Sequence, residues 1–164
     1  MNFAKGHEAH DDFVLLLDLP AALSMQKWAV RALCDRRRGI GAAAVLRVTV
    51  AGSAREAGVF DLLPDGLTAD DWYMDRHDPN GLPDGGDTGI HLFAHYLWAA
   101  GLERRSRYLV GTASGARTVE IDEVDAVRAT VAVTGAGGTT RGSSVLVAQG
   151  TIDIQWFRIR GTET

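Results

Sequence analysis

Cysteine is nearly absent from this sequence, with Cys34 the one thiol among 164 residues. A single thiol excludes an internal disulfide and any multi-cysteine metal site made by one chain, and it suits a reducing compartment. No apolar run reaches the length of a membrane span, and the opening MNFAKGHEAHDDF lacks the apolar centre of a secretory leader. The expectation is a cytoplasmic chain with no membrane partner. Neither sign of charge dominates: the formal net charge is −4 and charged residues make up 23%. That balance excludes a polybasic nucleic-acid surface and a disordered acidic tail. Internal repeats and low-complexity tracts are lacking too. What is there is a 46% hydrophobic chain of the size of one ordinary domain, enough to enclose a substantial core.

Phe13 to Leu17, bounded by acidic residues and Pro20, reads as a buried strand. Met25, Trp28, Ala29, Ala32 and Leu33 recur at helical spacing, with Ser24 as N-cap and Gly39 as the stop. Ala44 to Val50, Gly58 to Leu63 and Trp72 to Asp75 read as strands between turn residues. Arg76 to Thr88, rich in Pro, Gly and Asp, predicts a long loop of the kind that carries sites. From Gly89 to Ala100 the residues are apolar nearly all the way round, which requires a helix enclosed by other structure; Gly101 stops it. Arg107 to Gly111, Ala116 to Ile121, Ala126 to Thr134 and Ser144 to Gln149 return to strand patterning, with Gly135 to Gly142 as a turn or flexible loop. The expected fold is a single α+β domain, an antiparallel sheet wrapped around a central buried helix, because strands dominate and their connections look too short for repeated parallel crossovers.

MNFAKGHEAHDDFVLL, ALCDRRRGIGAAAVLRV, DWYMDRHDPNG followed by GIHLFAHYLWAAGLE, and VGTASGARTV appear in this order. Together they resemble diaminopimelate epimerase, especially its actinobacterial form, over nearly the whole chain. The resemblance implies one N-terminal epimerase-type domain over residues 1–164, with 143–152 in RGSSVLVAQGTI as its closing C-terminal strand. Family members are usually two pseudo-symmetric halves, each giving one catalytic cysteine across a central cleft. Here the chain passes from near Glu120 almost directly to the closing strand, so the expectation is that the second half is missing, with its cysteine and Gly-rich anion-binding loop. The family's RNADG…MCGNG stretch reads HDPNGLPDGGDTG, from His77 to Gly89, and lacks the first cysteine too. Aligned from the left, Asp87 takes its place; aligned from the right, Gly86 does, with Asp87 beside it.

Epimerising an α-carbon needs one group to remove a weakly acidic C–H proton and another to supply a proton on the opposite face. Asp87 is the leading replacement base, since desolvation can raise a carboxylate's pKa towards neutrality, and Asp84 is second. The competing reading of Asp87 is a helix N-cap in a solvated loop. Asp11 and Asp78 stand where the family has substrate-binding asparagines, and Thr88 with Gly89 complete the expected substrate-binding set at the helix N-terminus, where free N–H groups suit a substrate oxygen. Carboxylates in place of amides would repel an amino-acid carboxylate. An α-centre held inside amides, as in a cyclic dipeptide or a peptide natural product, fits better.

His91 and His95 lie one helical turn apart, but packing is favoured over metal binding because no third ligand is apparent. Cys34 reads as a packed thiol, and Arg36 to Arg38 as a solvated face near a helix C-terminus. GIGAAA lacks the third glycine of a dinucleotide fingerprint, so no cofactor and no metal are expected. The expected function is a subunit of a split epimerase needing a second half-length chain. A heterodimer is favoured over a homodimer because two identical Asp-bearing loops would oppose each other. The alternative is an inactive epimerase-like binding or scaffolding module.

Overall fold

The computed structural model describes residues 1–153. The first half holds β1 (Asn2–Glu8), β2 (Asp11–Leu17), α1 (Lys27–Cys34), β3 (Ala44–Val50), α2 (Ala51–Glu56) and β4 (Trp72–His77). α3 (Ile90–Ala99), β5 (Arg107–Thr112), β6 (Gly115–Val124), β7 (Arg128–Gly135) and β8 (Gly138–Thr151) follow.

Alternation along β2 and β3 explains the layers. Phe13 and Leu15 point into one core cluster with Ala44, Leu46 and Val48, whereas Val14 and Leu16 join Val45 in a second. Strands covered on both faces are apolar without a break, which is why FVLLL carries no polar alternation. The outer cover is α1, through Ala29, Val30 and Leu33. It begins after Gln26, which makes no side-chain cap bond, and ends at Asp35. Ser24 and Gly39 are therefore not its boundaries; Ser24 instead accepts from the Gln26 amide at 2.7 Å.

The eight strands close into a barrel in sequence order, β1 pairing with β8. The sheet is mixed, which corrects the all-antiparallel expectation: β2 with β3 and β4 with β5 run parallel. Both parallel pairs are joined by a helix-bearing crossover, residues 18–43 with α1 and 78–106 with α3, so those connections are long enough after all. Ile90 to Leu97 of α3 are all buried, and their apolar members share one cluster with residues from every strand. No described helix is long and apolar enough to cross a membrane.

Gly58 to Leu63 is not a strand. Its apolar residues Val59, Phe60 and Leu63 pack instead on Ala51, Ala54 and Tyr73, with the Phe60 and Tyr73 rings 5.0 Å apart, beside the unanticipated α2. β1 was likewise not anticipated, and Gly138 to Gly142 lies within β8 rather than in a flexible loop.

Candidate functional site

The backbone enters α3 through Gly89, whose φ of 104° is left-handed and whose missing Cβ leaves room for Leu46, 2.8 Å from where that atom would stand. Beside this helix end lies a cavity of about 840 Å³, walled by the end of β1, the Asp87–Thr88 segment and the β7–β8 hairpin. Glu8 reaches across from β1: its Oε1 accepts the Leu92 N–H at 3.0 Å, and its Oε2 lies 3.1 Å from His91 Nδ1. His91 Nε2 faces the Thr140 carbonyl oxygen at 3.2 Å, and Gly142 leaves the space into which the ring fits. With an acceptor at each nitrogen, the ring satisfies both as an imidazolium. Burial pushes the His91 pKa down, but the bond and charge of Glu8 outweigh it and the net shift is upward.

His95, one turn on, differs. Its Nε2 donates to the Asp125 carbonyl at 2.8 Å and its Nδ1 meets the Ser144 hydroxyl at 2.9 Å, so a neutral ring suffices, and burial lowers its pKa. The two histidines are thus spent on separate partners.

Asp87 lines the cavity with its side chain 46% exposed and its Oδ2 3.2 Å from Arg117 Nε. It does not cap α3: Gly89 holds the N-cap position with no side-chain bond, and the carboxylate at the helix N-terminus belongs to Glu8. Thr88 also lines the cavity, but its hydroxyl and carbonyl oxygens accept from Arg76 at 2.9 and 3.1 Å. Asp84 is bound by the same Arg76 and by the Gly86 N–H, away from the cavity wall. Asp78 holds its loop by accepting from the Asn80 and Leu82 N–H groups at 2.9 and 3.0 Å, and Asp11 is exposed at the start of β2. Of the six residues expected to form a site, Asp87 and Thr88 therefore meet at the cavity, Gly89 shapes the helix entry, and Asp84, Asp78 and Asp11 stay apart.

Sequence reasoning missed Glu8, the Glu8–His91 pair and Arg117. The available signal for Glu8 was a charged residue closing an apolar-polar alternation in NFAKGHE, which identifies a strand end but not its partner.

A second group of charges is sealed in the wall. Arg47 bonds Asp75 at 2.8 and 2.9 Å, reaches Asp18 at 3.4 Å and donates to the Leu23 carbonyl at 3.0 Å. His77 Nε2 lies 3.1 Å from Asp75, and its Nδ1 is buried without a hydrogen-bond partner. Arg36 is solvent-exposed as expected just past the end of α1, and it also grips Asp12 with two bonds of 2.8 Å, while Lys5 reaches the same carboxylate at 3.1 Å. Together they hold the Asp12 carboxyl well below its ordinary range.

The chain is 55% identical over 133 residues to the diaminopimelate epimerase of Mycolicibacterium smegmatis, matching 80% of this chain and 46% of that protein. With the diaminopimelate epimerase of Mycolicibacterium gilvum the identity is 47% over 162 residues, 98% of this chain and 54% of that one. The chain is a homologue of the diaminopimelate epimerase family. It spans about half the length of the curated relatives it matches. No family model matches this epimerase homologue. In fold it is similar to a phenazine biosynthesis protein of the PhzF family from Bacillus anthracis, with a TM-score of 0.55 at 13% identity over 81% of this chain and 40% of that one. A hydroxyproline epimerase from Agrobacterium vitis aligns with a TM-score of 0.50 at 12% identity, over 86% of this chain and 47% of that one.

The single thiol of the epimerase homologue is no substitute for a cysteine base. Cys34, the last residue of α1, is buried in the second core cluster, and burial pushes its thiol up to about 11. Among the described residues no group of three His, Cys, Asp or Glu side chains converges as a metal site.

Proposed function

We propose that this chain is one subunit of a split, cofactor-independent epimerase or racemase that acts on an amino-acid-derived α-carbon. The observation carrying this reading is homology to diaminopimelate epimerases over about half their length, together with the cavity on which Asp87 stands. In it, the Asp87 carboxylate takes the α-proton and becomes a carboxylic acid. The electrons of the C–H bond pass into the adjacent carbonyl as an enolate, and an acid of the partner chain returns a proton to the opposite face. Asp87 as it stands is half-exposed, with its Oδ2 3.2 Å from Arg117 Nε. Docking of a second half-length epimerase-like chain would desolvate it and raise its basicity. A heterodimer is favoured, because a homodimer would oppose two copies of Asp87. The substrate class is an α-centre flanked by amides, as in a cyclic dipeptide or peptide natural product. In the same proposal the segment 143–152 closes the domain in the manner of the family's C-terminal strand.

A second reading, an inactive binding or scaffolding module, is favoured by the Asp87–Arg117 ion pair, which already engages the Asp87 carboxylate. Co-expression with a half-length homologue, then deuterium wash-in at the α-carbons of cyclic dipeptides and free amino acids in heavy water, separates the two. Exchange that needs both chains and is lost in Asp87→Asn is the expected result. A stable complex without exchange would leave the binding module.

A further inference from the structure

A helix N-terminus beside a cavity attracts anions, because its free N–H groups and dipole point outward. At α3 that place is taken from within. The Glu8 carboxylate accepts the Leu92 N–H, and its other oxygen meets His91, which is itself fixed by the Thr140 carbonyl. Glu8 is held from both sides, with its side chain only 10% exposed, so water screens it weakly. The remaining fixed charges on the cavity wall are also paired, Asp87 with Arg117 and Arg141 with Asp122 at 3.0 Å.

We propose that Glu8 is the specificity-determining residue of this cavity: as a built-in anion on the N-terminal end of α3, it excludes ligands that bring their own carboxylate there and leaves the site to neutral, amide-bearing ones. The proposal rests on reading the cavity as the substrate site. It assigns the exclusion to occupancy of a named donor rather than to overall charge. A free amino acid arriving carboxylate first meets a hydrogen-bond position that Glu8 already fills, whereas a cyclic amide does not need that donor.

The test follows the Leu92 amide resonance of the full-length, isotope-labelled chain while sodium acetate is titrated in at constant ionic strength. The unsubstituted chain is expected to give no saturable shift at Leu92. Glu8→Ala empties the position, and acetate should then shift Leu92 saturably. Glu8→Gln guards against a folding defect: its neutral amide oxygen is a weaker acceptor, so acetate should act at a concentration at least about tenfold below that needed by the unsubstituted chain. The same acetate response in all three chains, or none in a variant whose spectrum stays dispersed, overturns the assignment. The titration needs neither partner nor turnover, so its failure and a failure of deuterium exchange are separate results.

Discussion

Arg47 and His91 are both buried basic side chains held by carboxylates, yet they stand in opposite settings. Arg47 lies within the barrel wall, with Asp18, Asp75 and the Leu23 carbonyl around it. The strand β3 that carries it is buried from Ala44 to Thr49. His91 sits on the first turn of α3 with Glu8, facing a cavity bordered by a glycine-rich hairpin. The first arrangement fastens the α1 crossover to the sheet, since Asp18 also accepts the Ala22 and Leu23 N–H groups at 3.1 and 3.0 Å. The second governs what meets a helix end. Similar residue types thus serve structure where access is closed and recognition where it is open.

Removing a sealed cation should have the larger consequence. Arg47→Ala leaves Asp18 buried without its counter-charge and Asp75 with His77 alone, and should cost about 3–5 kcal/mol, read from urea unfolding. A loss below about 1 kcal/mol would place this network among exposed ion pairs instead. Glu8→Ala strands the Leu92 N–H and the His91 ring at a cavity that water can enter. We expect a smaller loss of about 1–3 kcal/mol in the same measurement.

The two clusters also separate along the pH axis. His91 has its pKa raised from 6.5, so its contribution is full below the unfolded value and is lost as pH rises through the folded one. Asp75 behaves in the opposite sense. Burial pushes its pKa up, but His77 and Arg47 more than offset this and the net shift is downward from 3.8. Its contribution is therefore present above the unfolded value and lost as pH falls through the folded one. Urea midpoints across pH should show a decline on the alkaline side that Glu8→Gln flattens, with the acid limb retained. A profile unchanged by that substitution would remove Glu8 as the cause. The smallest stability effect belongs to Asp87→Asn, at most about 1 kcal/mol, because the Arg117 pair is half open to solvent. A larger loss would show that Asp87 anchors the fold rather than standing free for chemistry.

Elements were legible where both faces of a segment are buried or where helical periodicity is unbroken. FVLLL, AVLRVTV and IHLFAHYLWA show such patterns, and each lies in its expected element type. Gly58 to Leu63 misled because its apolar residues serve a satellite cluster, and periodicity does not say which surface a residue will meet. The mixed pairing escaped for a related reason: strand direction depends on where a crossover lands.

The sequence by itself determined a one-thiol, strand-rich domain with one helix apolar on every side, because composition and local period carry that information. It also carried kinship with the diaminopimelate epimerases, through long motifs kept in order. Only the tertiary structure decided that Asp87 pairs with Arg117 rather than capping α3, and that Glu8 bonds a backbone donor 84 residues away. Hydrogen bonds act over about 3 Å in space, and barrel closure sets which distant residues come within that reach.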